Sequence, residues 1–487
     1  MSLFFGVDIG TASSKGVLVD ADGTVLRGAV REHTVQRPQP GHVEMDAHVW
    51  WDEFVSLAEE LTAGVTVDAV GVSGMGPCVL LTDGDGTVLR PAILYGVDTR
   101  ATDQIAALTE RLGGPGAIRE RCGSELSTQA VGPKLAWLAE HEPAVFAAAR
   151  QLFMPASWLG YQLTGSYALD FHSASQCTPM FDTHALAWHR EWATLIAPRL
   201  ELPPLRWPGD VTGTTGRAIA GIPAGTPVIT GTIDAWTEAV SVGAQRPGDL
   251  MLMYGTTMFL IATVERPLTS PVMWGTVGAF PGTRNLAGGM ATSGAVTAWL
   301  RDLTGAGYPE LLAEAEASGP GARGLLMLPY LAGERTPIMD PDARGVIAGL
   351  TLSHTRGDLY RAALEATAFG VRHNISALRD AGAGIRRVVA VGGGTKGGLW
   401  TRIVSAVTGL AQVVPRVTTG AAYGAAFLAA CAVEPCDIDA WNPPAEVVEP
   451  VPSERTGYDD RYALYRDLYP ATRTIAHTLA ARQRPHA

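Results

Sequence analysis

The 487 residues are 47% hydrophobic and 17% charged, enough apolar content for two or three domains with large cores. With 48 acidic residues against 37 Lys and Arg the formal net charge is −11, which leaves no broad basic surface for nucleic acid or anionic lipid and makes a small soluble substrate the simpler expectation. No window approaches the roughly 20 apolar residues of a membrane span, and an acid, Asp8, follows directly on the apolar start, so the chain reads as neither secreted nor membrane-bound and a cytoplasmic location is expected.

Cys78, Cys122, Cys177, Cys431 and Cys436 are odd in number and widely spaced, without a C-x-x-C pair, and read as buried reduced thiols. The histidines show no spacing of a zinc ligand set.

The first elements are predicted as a β-hairpin: two apolar runs between Leu3 and Asp20 are separated by Gly10 and Thr11, and Asp22-Gly23 turns into a third strand ending at Val30. Asp8 closes the first strand, while Gly10, Thr11, Ser13, Ser14 and Lys15 occupy the turn. Such a turn offers phosphate oxygens backbone N–H groups, hydroxyls and a cation, and an acid beside it suits hydrated Mg²⁺; an ordinary polar turn has the same composition. Residues 41–51 lead into a helix of about 15 residues, by pattern. A strand over 67–73 follows, then Gly74-Met-Gly-Pro-Cys78 and a further strand to Thr82. Glu44, Asp46, Asp98 and Arg100 fall at the ends of elements, where ligand contacts and solvated charges both occur.

From about 100 to 205 the pattern is mostly helical, with Pro133 opening one helix. Next comes Pro227-Val-Ile-Thr-Gly-Thr-Ile-Asp234, an apolar strand that gives way at Asp234 to an Ala-rich helix. A carboxylate at such a junction faces a cleft or serves as the helix N-cap, for which Asp is a favoured residue. Residues 248–263 repeat the form of the N-terminus, with apolar strands either side of Gly255-Thr256, and suggest a duplicated architecture.

The second half continues with a helix over 292–303, a strand over 324–330, a long helix over 356–378 and a strand from Arg387 into Gly392-Gly-Gly-Thr-Lys-Gly397. After a short strand over 412–414, a small-residue helix starts near Thr418. Residues 441–453, rich in Pro and Glu, read as a surface segment before a last amphipathic helix. Alternating strands and helices with a hairpin opening each half predict a two-domain α/β protein, cut at 1–246 and 247–487.

Residues 392–397 match G-x-G-x-x-G, but the strand that follows carries no acid to hold a ribose, so a dinucleotide fold is not supported. Thr395-Lys396-Gly397 lacks the order of a Walker A loop, and Gly71-Val-Ser73-Gly74-Met75 lacks the last glycine of a nucleophile elbow. There remain a glycine turn of purine size, two Gly-Thr hairpins and the acids Asp8 and Asp234, a set that asks for a nucleoside triphosphate and an acceptor.

These motifs, in this order, resemble the FGGY family of carbohydrate kinases and within it the xylulokinase-like group. The resemblance runs through Asp8-x-Gly-Thr11 with Lys15, Glu44-x-Asp46, Pro133-Lys-Leu-x-Trp137, Gly231-x-x-Asp234, Gly255-Thr256, Tyr330-Leu-x-Gly-Glu-Arg-Thr-Pro337 and Gly392-Gly-Gly394 with Trp400. Its most specific stretch is Gly345-Val-Ile-Ala-Gly-Leu350 followed by Asp358-Leu-x-x-Ala-Ala-Leu-Glu365.

The resemblance implies two actin-like ATPase (ribonuclease H-like) domains with an interdomain cleft, the N-terminal one binding sugar and carrying the catalytic base and the C-terminal one binding nucleotide. The activity it implies is transfer of the γ-phosphate of ATP to a sugar or polyol hydroxyl. Asp234 matches the base and Asp8 the acid associated with Mg²⁺. Thr11 and Lys15 match the first phosphate turn, Gly255 and Thr256 the second, and Gly393 and Gly394 the adenosine pocket. The partner is then a small sugar or polyol, and a homodimer is expected by analogy alone. A catalytically silent sensor on the same fold is the alternative, although it would be expected to lose the base or the phosphate turns.

The chain departs from the xylulokinase pattern where Gln-Met-His-Gly would face the sugar: Met75-Gly76-Pro77-Cys78 stand there instead. Loss of those hydrogen-bond partners changes which hydroxyls are read, so D-xylulose becomes one candidate among ketoses and polyols, with Met75 and Gly76 lining the site. The loop Tyr95-Gly-Val-Asp-Thr-Arg100 is one residue longer than usual, with Asp98 and Arg100 expected to contact the acceptor. The family's first signature is also incomplete upstream of Lys134.

Overall fold

A computed structural model describes residues 2–483, which gather into two compact units. The first comprises residues up to Arg246, Val264–Asn285 and Val417–Pro443; the second comprises Pro247–Thr263, Leu286–Arg416 and the residues from Pro444 onward.

In the first unit β1 (Leu3–Ile9), β2 (Ser13–Asp20) and β3 (Val25–Glu32) form the expected antiparallel meander. On the other side of β1, β4 (Ala69–Gly74) runs parallel to it. Beyond β4 lie β5 (Val211–Thr214) and β6 (Pro227–Ile229), and β7 (Thr232–Ile233) pairs with the end of β4. Alternation along the strands divides the core. Phe5, Val7, Ile9, Val70 and Val72 pack with Trp50, Phe54 and Leu57 of α1 (Ala47–Leu61). The opposite face carries α2 (Asp234–Ser241) and α3 (Ala421–Val433), where Phe4, Val17 and Ala69 meet Ala422, Tyr423 and Ala426.

That second face is unusually close because Gly6 on β1 and Gly71 on β4 stand opposite each other in register. A Cβ at Gly6 would lie 2.1 Å from the Ala422 carbonyl oxygen, and one at Gly71 2.0 Å from that of Ala425. Small residues along α3 complete the fit, as the small-residue pattern anticipates.

In the second unit β8 (Asp249–Tyr254) and β9 (Met258–Val264) form an antiparallel hairpin. Next to β8 runs β10 (Arg387–Val391), parallel to it, and next to β10 runs β11 (Gln412–Pro415), also parallel. Each unit thus places a hairpin beside a parallel strand, β1–β2 with β4 and β8–β9 with β10. Within the Pro- and Glu-rich segment, expected at the surface, Pro444–Val448 forms a strand, β12, antiparallel to β11 at the sheet edge, with Pro444, Ala445, Glu446 and Val447 exposed. An edge strand tolerates proline and charge because only one side needs its N–H groups.

The acids of the most specific family motif hold this unit together. Asp358 forms a capping box with Thr355 at the start of the helix Arg356–Asp380 and accepts a bond from Ser318 at 2.6 Å. Glu365, one further along that helix, accepts from Gly321 N–H, Arg361 and Tyr458. The thiols divide: Cys78, Cys122 and Cys177 are buried as expected, but Cys431 is exposed and Cys436 only partly covered, because both lie at or beyond the C-terminal end of α3. Among the described residues no helix is long and apolar enough to cross a membrane.

Candidate active site

Register across the first sheet sets four polar side chains in one row: Thr232 pairs with Ser73, Ser73 with Asp8, and Asp8 with Lys15. Directly paired residues share a face, here the one that carries α2 and α3. The row lies two residues beyond the Gly6–Gly71 rung, toward the C-terminal ends of the parallel strands, where open α/β sheets bind ligands. Ser73 donates to Thr237 of α2 at 3.0 Å, and its hydroxyl also lies within bonding reach of Asp8. The helix that begins with Asp234 is thereby fastened to the strand end beside Asp8.

Asp234 is the first residue of α2, and the cap position falls to Ile233, which makes no side-chain cap bond. Among the described residues the Asp234 carboxylate accepts only the adjacent Ala235 N–H, at 2.7 Å, so the junction is as expected while the N-cap role is not what the structure shows. Burial raises the pKa of Asp234 to about 6. Asp8 is also pushed well above the carboxylate range, first by burial and then by the charge of Asp234. One oxygen of Asp8 is buried without a hydrogen-bond partner.

A third acid joins them. Glu238 stands four residues after Asp234, hence on the same face of α2. Burial raises the pKa of its carboxyl to about 7, partly countered by the charge of Lys15. A Cβ at Gly420 would come within 2.7 Å of a Glu238 oxygen, so glycine there makes room for the acid. The sequence reading did not single out Glu238; its only signal was helical spacing from Asp234.

On the acceptor side, Thr11 donates to the Met75 sulfur at 3.7 Å and shares a 2.9 Å hydrogen bond with the Tyr95 hydroxyl. The β1–β2 turn is thus tied to the segment expected to face the sugar. Met75 and Cys78 are buried, and Gly76 packs on Ile233, where a Cβ would lie 2.7 Å from its side chain. Burial pushes the Cys78 thiol up to about 12 and lowers Lys134, whose ammonium donates to the Thr128 carbonyl at 2.6 Å, to about 8.

Asp98 and Arg100, expected to contact the acceptor, are instead closed to solvent and bound to each other at 2.7 Å. Arg100 also pairs with Glu44 at 2.7 Å and lies over the Trp137 ring, while Asp98 accepts the Val43 N–H at 2.6 Å. These bonds anchor the loop that carries Tyr95.

In the second unit Gly255 and Thr256 form the β8–β9 turn, and their carbonyls accept the N–H groups of Gly294 at 2.9 Å and of Ser293 and Ala295 at 3.0 Å, where the helix Gly294–Thr304 begins. Thr256 is exposed at the tip. Gly393 and Gly394 follow β10 at the same end of the same sheet. A Cβ at Gly394 would strike the Trp400 ring at 2.8 Å and Tyr254 at 2.9 Å, whereas one at Gly393 meets nothing within 4 Å. Gly394 therefore serves packing, and Gly393 borders open space.

The FGGY family of carbohydrate kinases matches the chain twice, its N-terminal domain over residues 3–241 and its C-terminal domain over 250–433. A xylulose kinase of Escherichia coli (strain K12) is 29% identical over 95% of this chain and 96% of its own length. A glycerol kinase of Gloeobacter violaceus is 32% identical over 92% and 91%. The crystal structure of a xylulose kinase from Rhodospirillum rubrum superposes with a TM-score of 0.91 at 32% identity, covering 98% of this chain and all of that one. Paired hairpin-led α/β units of the actin-like ATPase type, motifs in the family's order and matches that span both halves lead to one assignment: the chain belongs to the FGGY family of carbohydrate kinases and is a phosphotransferase.

Proposed function

We propose that the protein phosphorylates a hydroxyl of a ketose or polyol, D-xylulose among the candidates, at the expense of ATP, with Asp234 as general base. The observation that carries this reading is the uncapped Asp234 carboxylate at the end of a strand, beside the row of Ser73, Asp8 and Lys15. In the reaction the acceptor oxygen bonds to the γ-phosphorus as the bond to the ADP oxygen breaks, and the hydroxyl proton passes to Asp234. The first unit, expected as residues 1–246, then takes the acceptor, and the second, expected as 247–487, takes the nucleotide through Gly255, Thr256, Gly393 and Gly394.

Asp8 suits a hard divalent cation, since it offers a carboxylate oxygen that no protein group occupies. Mg²⁺, when bound with the nucleotide, would neutralise charge on the transferring phosphoryl group. Lys15 and the amides of the β1–β2 turn add to that neutralisation. Asp98 and Arg100 act on the acceptor indirectly, through the loop that they hold.

Relatives at similar identity are named for xylulose and for glycerol, so likeness alone does not select the acceptor. The buried Met75 and Cys78 and the packed Gly76 offer few side-chain hydrogen bonds on that side, which favours an acceptor read mainly near the reacting hydroxyl. A coupled ADP-release assay across ketoses, aldoses and polyols is expected to find at least one acceptor well above the ATP-only rate. Silence across the panel, with ADP still bound, would sink the kinase reading.

The base works only when ionised. Because burial holds Asp234 at about 6 rather than near 4, kcat/KM for the best acceptor is expected to level off above neutrality and to fall about tenfold per pH unit below about 6. A profile flat down to pH 4.5 would count against Asp234.

A further inference from the structure

We propose that a small cavity in the first unit binds one halide-sized anion, chloride in solution, on the buried guanidinium of Arg284 and the hydroxyl of Thr276. The inference goes beyond the kinase reading and does not depend on it. The cavity, about 10 Å³, has room for one particle of about the size of water, and Gly123, Thr183, Thr276 and Arg284 are among the residues that line it.

Arg284 creates the demand. It is 8% exposed and heads the strand that ends at Met290. Its Nη1 donates to the carbonyl of the adjacent Thr283 at 2.9 Å, and its Nη2 reaches the Thr183 carbonyl only at 3.5 Å, while Nε is buried without an acceptor. Among the described residues no acid acts on this guanidinium; burial is the one influence on its pKa, which it lowers. A buried charge held by neutral carbonyls alone is costly, and buried charges are ordinarily paired.

Thr276 supplies a second donor, since its buried hydroxyl also has no partner. Three neighbouring donors are already engaged: the Thr183 hydroxyl donates to the Arg121 carbonyl at 3.0 Å, the Gly275 N–H to that of Gly123 at 2.9 Å, and the Gly123 N–H to that of Arg119 at 2.9 Å. A Cβ at Gly123 would lie 2.5 Å from the Gly275 carbonyl oxygen, so this wall is packed backbone, which resists the widening that phosphate or sulfate would need. A water would satisfy Nε and the Thr276 hydroxyl yet leave the charge. A monovalent anion only slightly larger accepts both bonds and neutralises it.

Thermal unfolding of the full-length protein tests this in about 0.3 M sodium chloride against equimolar sodium methanesulfonate, whose anion is too large for the cavity. Wild type is expected to unfold about 2 °C higher in chloride. Arg284→Met removes the charge and is expected to lose that difference between the salts. In methanesulfonate it should unfold no lower than wild type, because it no longer buries an unpaired charge. A guanidinium that merely holds the Thr183 carbonyl would instead leave the variant less stable by the same amount in both salts, which overturns the proposal. Crystals of the wild type soaked in bromide give a reading that needs no variant: an anomalous peak in contact with Arg284 and Thr276 is expected. Absence of that peak, or a wild-type Tm equal in the two salts, overturns the inference.

Discussion

Asp234→Ala is expected to leave a folded protein that still binds ADP while turnover of the best acceptor falls about 10³-fold, within the range that removal of a positioned general base produces. The carboxylate makes one hydrogen bond, to the neighbouring Ala235 N–H, and α2 is fastened to the sheet by the Ser73–Thr237 bond instead, so its loss removes little structure. Asp234→Asn keeps the shape and isolates the charge; both variants should fall alike. Single-turnover phosphorylation measured beside ADP titration decides the matter, and near-normal turnover in either variant would remove Asp234 from the mechanism.

Gly71→Ala is expected to destabilise the first unit by about 3 kcal/mol, the upper part of the range for overpacking, which corresponds to a Tm lower by roughly 5 °C. The added methyl would stand 2.0 Å from the Ala425 carbonyl oxygen, and backbone on both sides cannot step aside as a side chain would. Gly6→Ala, on the neighbouring strand, should behave alike. Thermal unfolding followed calorimetrically tests this; a Tm within about 1 °C of wild type would show that α3 does not press on the sheet as described.

Much of the site was readable residue by residue. The β1–β2 hairpin, the Asp234 junction, the second hairpin at Gly255-Thr256 and the strand before Gly392 are local patterns of alternation, glycine and short apolar runs, and each formed close to its expected bounds. β12 escaped notice because proline and glutamate argue against a strand unless the strand lies at an edge, and edges are a property of the assembled sheet. The protein partners of Asp98 and Arg100 were unreadable for a related reason: Glu44, Val43 and Trp137 reach them from other segments of the chain.

Linear order thus carried the family, the phosphotransferase chemistry and the choice of Asp8 and Asp234 as candidates, because motif spacing and strand-to-helix transitions are written in neighbouring residues. The row of Thr232, Ser73, Asp8 and Lys15, the placing of Glu238 against Gly420, and the demand for glycine at Gly71 belong to the folded state alone. Each arises from register or from backbone approach between segments far apart in the chain. No local pattern encodes which strand rung will oppose which, or how near a helix will come to the sheet beneath it.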